Sequence, residues 1–211
     1  MALSPTFRPA TLDDCDTIAQ LFQIASDGVC DYIWSTLREE YPGLTPLEIG
    51  AQRYANPDNP FGYKNCVLAE QDGAIAGMMV TFATDPAEEA SQPDQPESLA
   101  ESDRPTEEPA APDILAPYSL EAPNTWYICA LALFPAFRGQ GTGTQFLKLA
   151  HQQAVNRGFS SLSLLCFEQN VGALRLYLSH GFQVIDRTPV VPHPLIHYTG
   201  DLLLMTAAVK P

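Results

Sequence analysis

The sequence is short of positive charge. Only 11 Lys and Arg stand against 25 Asp and Glu, for a formal net charge of −14. A nucleic-acid surface needs a basic patch, and this composition excludes one. Long apolar runs are missing too: none approaches the roughly 20 residues of a membrane span, so no membrane partner is expected. The start, Met1 to Pro5, has neither a basic lead nor a long apolar segment. No secretory signal is therefore expected, and the cytoplasm is the expected compartment. The five cysteines are odd in number and contain no C-x-x-C pair, which argues against a disulfide framework and a zinc site. No metal is expected. Cys129 and Cys166 lie in apolar strand patterns and read as buried small hydrophobes, with a catalytic thiol as the alternative. Two common nucleotide-binding turns are absent as well: neither G-x-x-x-x-G-K-[ST] nor G-x-G-x-x-G occurs.

What is present suits one α/β domain with an appendage. The chain has 211 residues, 45% of them hydrophobic, enough to bury a core. Its organising stretch runs from Ala130 to Thr144 and on to Arg157. It reads as a buried strand, a glycine-rich turn and an amphipathic helix. Leu131 and Leu133 suit a strand covered on both faces. Pro135 cannot donate to a ladder, so pairing should end there. Gly139, Gly141 and Gly143 are expected to take positive φ angles and to let the backbone approach a ligand. Phe146, Leu147, Leu149, Ala150, Ala154 and Val155 recur at helical spacing, and Gly158 closes the pattern. Such a turn aims several N–H groups at one point, where hydrogen bonds and the helix dipole both favour phosphate.

The pattern Arg138-x-x-Gly141-x-Gly143 after Leu131-x-Leu133-x-Pro135 resembles the coenzyme A pyrophosphate loop of the GNAT-type N-acetyltransferases. A second stretch, Asn170-x-x-Ala173-x-x-x-Tyr177-x-x-x-Gly181-Phe182, is similar to that family's second motif. The likeness is strongest over Trp126 to Asp186 and weaker over Phe7 to Phe82. It implies a mixed central sheet flanked by helices, with the central strand splayed from the next one near a bulge. It also implies acetyl-CoA as co-substrate. Backbone N–H groups of Arg138, Gly139, Gln140, Gly141, Thr142, Gly143 and Thr144 would hold the pyrophosphate, with the Thr142 and Thr144 hydroxyls and the Arg138 charge adding to them. Leu131, Ala132 and Leu133 would present strand backbone to the pantetheine arm. The Leu133 N–H would face the thioester oxygen as charge develops. Asn170 and Ala173 would border the same arm. Tyr177 matches the tyrosine that protonates departing coenzyme A; packing beside Leu174 and Leu178 is the alternative.

The rest of the chain supplies the frame. A short first strand, Phe7 to Ala10, precedes a helix capped at Thr11, whose first turn holds Asp13, Asp14 and Asp16. Gly28 breaks that helix, and a second is expected from Asp31 to Glu40. Thr45-Pro46-Leu47-Glu48 reads as a cap, a proline at the first position and a third helix. Cys66 to Glu70 and Ala74 to Phe82 form a hairpin about Gln71-Asp72-Gly73. Residues 84 to 123 then hold eleven acids, one base and eight prolines. Residues 86 to 112 are expected as a mobile surface loop, while Asp113 to Leu120 are apolar enough to dock back. Strands follow at Trp126 to Phe134 and Ser161 to Phe167, parallel because a helix joins them. Asn170 caps the next helix, Gly181 stops it, and strands close the chain at Gln183 to Ile185 and Tyr198 to Ala207.

The resemblance places the acceptor near the first helices, where Tyr32 and Trp34 would line its pocket; aromatic packing against the sheet is the alternative for each. Tyr127 joins them as a substrate-side candidate. Glu168, Glu39, His197 or a water chain would serve as general base, and His180 suits a helix end. The expected activity is acetyl transfer to a small-molecule or peptide amine, by a monomer or homodimer. An acyl-CoA sensor without chemistry, or an interaction protein using the acidic arm, are the rival readings.

Overall fold

A computed structural model describes residues 4–86 and 112–210. The expected mobile loop lies, from 87 to 111, outside the described residues. The elements run β1 (Thr6–Pro9), α1 (Cys15–Ser26), α2 (Val29–Thr36), α3 (Pro46–Tyr54), β2 (Cys66–Gln71), β3 (Ala74–Ala83), β4 (Trp126–Leu133), α4 (Thr142–Arg157), β5 (Ser161–Phe167), α5 (Val171–Ser179), β6 (Gln183–Pro189) and β7 (Asp201–Ala208). All strands join one seven-stranded sheet in the order β1-β2-β3-β4-β5-β7-β6. Only β4 and β5 pair in parallel; the other neighbours are antiparallel. No helix among the described residues is long and apolar enough to cross a membrane.

Local chemistry sets most boundaries. The Thr45 hydroxyl and backbone N–H both donate to the Glu48 carboxylate, at 2.7 and 2.8 Å, and Pro46 opens α3. Asp72 and Gly73 both take positive φ, 52° and 79°, as a two-residue hairpin between β2 and β3 requires. The second helix is shorter than expected and starts earlier. Asp27 and Gly28 both leave the helical region, with φ of 49° and 95°, and α2 begins at once at Val29. Gly28 is also a point of contact: a Cβ there would fall 1.7 Å from the Leu195 carbonyl oxygen.

The sheet has a core on each face. On one, α4 and α5 bury Phe146, Leu147, Ala150 and Tyr177 against Trp126, Ile128, Leu162, Leu164 and Met205. On the other, α1, α2 and α3 bury Ile18, Leu21, Trp34 and Ile49 against Leu68, Met78, Ala130 and Ala132. The strand β4 serves both, which regular alternation would forbid. Its pairing with β3 explains this: Val80 faces Ala130 and Thr81 faces Ile128, so Cys129 is an extra residue. The bulge reverses which side chains point where. Trp126 and Ile128 therefore face α4, while Ala130 and Ala132 face α1.

The two limbs that leave the sheet around the acidic stretch are fastened together. Thr84 Oγ1 donates to the Ala122 carbonyl at 2.9 Å and accepts the Thr125 N–H at 2.8 Å; Thr125 Oγ1 in turn pairs with Ser163 Oγ. All three side chains are buried. The returning limb docks as its sequence suggests: Ile114 and Tyr118 pack on a small cluster containing Val29, Phe167, Val190 and Ile196.

Candidate active site

Pairing between β4 and β5 covers only Trp126 with Leu162, Tyr127 with Ser163 and Ile128 with Leu164. Beyond it β5 stays paired to β7 as far as Phe167, and β4 stays paired to β3 as far as Leu133. The two central strands thus part at the bulge, leaving one edge of residues 129–133 open. The Phe134 N–H donates to Ala76 O across the β3 side at 3.0 Å. Strand alternation then turns the N–H groups of Leu131 and Leu133 the other way, into the gap. Both side chains are half-buried against the α4-side core.

The turn after β4 feeds α4 directly. Gly139 and Gly141 take φ of 74° and 86°, and a Cβ on either would meet nothing within 4 Å. Glycine serves the backbone angle there and does not relieve crowding. Gly143 departs from the expectation: it lies inside the helix without a positive φ. Its missing side chain makes room for α5 instead, since a Cβ would sit 3.0 Å from Leu176 Cδ2. That contact docks α5 against the start of α4.

The first intrahelical bond runs from the Gln145 N–H to Gly141 O, at 3.2 Å. The amides of Thr142, Gly143 and Thr144 therefore lack helical acceptors. Thr142 is 0% exposed and its hydroxyl has no partner among the described residues. A buried, unpaired hydroxyl beside free N–H groups and the positive end of a 16-residue helix fits a diphosphate. Thr144 is half-buried next to it. The Arg138 N–H is committed to Pro135 O at 3.3 Å, and its side chain donates from Nε to Leu133 O at 3.1 Å. Arg138 thereby braces the turn and brings positive charge to it. Gln140 Nε2 donates to Ala136 O at 3.1 Å.

Tyr177 lies on α5, 7% exposed, 5.7 Å from the Phe182 ring and within the core that holds Cys166 and Leu164. Burial pushes the phenol pKa up, and the Cys166 thiol pushes it further in the same direction. A protonated phenol is thus held well past neutral pH. Asn170 caps α5, its Oδ1 accepting the Ala173 N–H at 3.2 Å. The cap occupies the Ala173 amide and leaves the Asn170 Nδ2 as a donor. Burial also raises Cys166, to about 12, and raises Cys129 further; both thiols remain protonated, as small hydrophobes do.

The substrate-side candidates separate. Tyr127 packs on Phe82 at 5.4 Å, and Phe82 on the exposed Phe61 at 5.5 Å, forming an aromatic row that reaches the surface. Tyr32 is half-buried, edge-on to His193 at 4.6 Å. Trp34 is a correction: it is 1% exposed, and its ring fills the space over Gly50, where a Cβ would lie 2.5 Å from Cζ2. It packs α2 against α3. The base candidates are scattered. The Glu168 carboxylate is 3.9 Å from Arg187, the mostly exposed His197 is 3.4 Å from Asp27, and Glu39 sits on an exposed turn. His180 Nδ1 contacts Leu176 O at 2.8 Å, at the end of α5. Gln71 has a contact that its place in the hairpin turn does not announce. It is 4% exposed and donates from Nε2 to Gln140 Oε1 at 2.7 Å. In sequence it is only the first polar residue of a hairpin turn, with no signal of its reach to a loop 69 residues away.

Comparison with known proteins agrees with this geometry. A solved structure described as an acetyltransferase is 26% identical, with 97% of this chain and 100% of that one aligned at a TM-score of 0.60. An N-acetyltransferase from Staphylococcus aureus Mu50 is 19% identical over 96% of this chain and 100% of its own, at 0.59. The PaiA N-acetyltransferase from Thermoplasma acidophilum, solved in complex with coenzyme A, is 16% identical over 98% and 99%, at 0.53. These last two share the fold. No curated protein matches the chain. The profile of the Acetyltransferase (GNAT) family matches residues 28–182, most of the sequence and all of the site. The chain therefore belongs to the GNAT family of acetyltransferases.

Proposed function

We propose that this protein transfers the acetyl group of acetyl-CoA to a primary amine by direct attack, with both substrates bound together, and that residues 1–211 act as one acetyltransferase domain carrying an acidic insertion at about 84–112. The observation that carries this reading is the parted β4–β5 pair, opening beside a helix start with a buried, partnerless threonine hydroxyl. The amides of Gly139 to Thr144 and the Thr142 hydroxyl hold the diphosphate. The pantetheine amides pair with the open edge at Leu131 and the Leu133 N–H, as an added strand would, while the Ala132 backbone groups stay turned to β3. Asn170 Nδ2 is a further donor to that arm.

The chemistry follows from the same edge. A neutral amine nitrogen attacks the thioester carbon. Negative charge grows on the thioester oxygen, and the Leu133 N–H, preset by its strand, meets it. As the C–S bond breaks, the sulfur takes the Tyr177 phenolic proton. The attacking nitrogen sheds its own proton to water, which returns one to the Tyr177 phenolate, and the products are an N-acetyl amide and the free thiol. Tyr127 and Tyr32, with the aromatic row from Phe82 to Phe61, are the side chains proposed to meet the acceptor, a small molecule or a peptide amine.

The test is release of thiol from acetyl-CoA across a panel of primary amines, beside calorimetry with coenzyme A. Binding plus acceleration by at least one amine is expected. Binding without any amine-dependent release would make the protein an acyl-CoA sensor. No heat with coenzyme A would dismiss the whole reading.

A further inference from the structure

We propose that Gln71 is a positioning residue for the diphosphate loop, acting through Gln140. The inference rests on the proposed coenzyme A site and names a part of it that lies on another hairpin. Gln140 stands between Gly139 and Gly141, both with positive φ and both in open space. Two such glycines make the turn costly to hold in one shape. Gln140 is the side chain at that apex by which the turn can be gripped from outside. It is gripped twice. Its Nε2 donates to Ala136 O at 3.1 Å, within the loop, and its Oε1 accepts from Gln71 Nε2 at 2.7 Å, across from the end of β2. The first bond fixes the orientation of the Gln140 amide, and that in turn fixes which end of the Gln71 amide must face it.

Gln71 is a poor residue for the place if stability alone were served. It is 4% exposed, and its Oε1 is buried with no partner among the described residues. An amide in the interior with one end unsatisfied is unfavourable beside an apolar side chain of similar size. What the glutamine supplies is the bond to the loop. A loop held in its binding shape before the ligand arrives loses less freedom on binding. Gln71 is neutral, so its effect does not depend on attraction to phosphate charge.

The experiment compares wild type, Gln71→Leu, Gln140→Ala and the double variant by calorimetry with coenzyme A and with pantetheine, which lacks the diphosphate. Melting temperature is read beside them. Gln71→Leu is expected to weaken coenzyme A about fivefold, the scale of one hydrogen bond, without lowering the melting temperature. Pantetheine affinity should not move. The loss should be unchanged by salt, unlike that of a charge contact. The double variant should be no weaker than Gln140→Ala, because the two act in series. Unaltered coenzyme A affinity in Gln71→Leu, an equal loss for pantetheine, or additive losses would each overturn the proposal. Should Gln71→Leu fail to fold, the exposed Gln140→Ala decides alone: coenzyme A affinity equal to wild type overturns the splint, and a diphosphate-specific loss supports it. Failure of wild type to bind coenzyme A would instead remove the site itself.

Discussion

The two halves of β4 differ in kind although they are one strand. From Trp126 to Ile128 it is zipped on both edges and its large side chains fill the α4-side core. From Cys129 to Leu133 it keeps β3 but loses β5, and the small Ala130 and Ala132 face α1. A single extra residue at Cys129 separates them. The lesson is that a sheet can carry an open edge at its centre: one half of the strand supplies the stability, and the other half is free to leave hydrogen bonds unmade. Mutations in the two halves should therefore fail differently.

The largest expected effect is on the open side. Tyr177→Phe should lower kcat by roughly 10²–10⁴, the range of a lost general acid, with coenzyme A affinity nearly intact by calorimetry. Unchanged turnover would remove proton donation from this phenol. On the zipped side, Ile128→Ala should cost about 2–5 kcal/mol in denaturant unfolding, as a buried large-to-small change does, while coenzyme A affinity in the folded fraction stays the same. A loss of affinity at full stability would erase the distinction between the halves. Thr142→Val sharpens it further. The buried hydroxyl has no partner among the described residues, so its removal should not lower the melting temperature, yet coenzyme A should bind about fivefold more weakly.

A separate effect, felt only in acid, lies far from both halves, where Arg8 ties β1 to the start of α1. Arg8 Nη1 and Nη2 meet the Asp14 carboxylate at 2.7 and 2.9 Å, and Arg8 Nε meets Glu70 at 2.6 Å. The Arg8 hydrogen bond, helped by Thr11, holds the Asp14 carboxyl at about 2 against burial, down from 3.8. A depressed folded pKa means the contribution is complete above pH ~4 and disappears as pH falls through about 2. It amounts to about 2 kcal/mol. Acid titration of unfolding should show that slope, and Arg8→Ala should flatten it without altering turnover at neutral pH.

Much of this was readable in the chain. The strand, turn and helix around Gly141 announce themselves because proline, glycine and apolar spacing each act locally. The same holds for the Thr45–Glu48 box and the Asp72-Gly73 hairpin. The resemblance to the GNAT motifs supplied the splayed pair. Its position was not legible: every residue from Trp126 to Leu133 is apolar or aromatic, so no alternation marks where the pleat reverses. Gly143 looks like its two neighbours, and only the approach of Leu176 from another helix reveals its different purpose. Trp34 is a plausible ligand aromatic until Gly50 is seen beneath it. The order that places β7 between β5 and β6 is likewise a matter of long-range pairing. Gln71 was invisible for the same reason, since its partner is remote in sequence.

The buried threonine pair at the foot of the acidic stretch has a practical consequence. Thr84 and Thr125 close the circuit between β3 and β4, and Ser163 anchors that closure to β5. The ends of β3 and β4 are thus held together by their own bonds, and lengthening a connection between ends already held costs little. A foreign peptide spliced between residues 86 and 112 should therefore leave the melting temperature of the acetyltransferase unchanged.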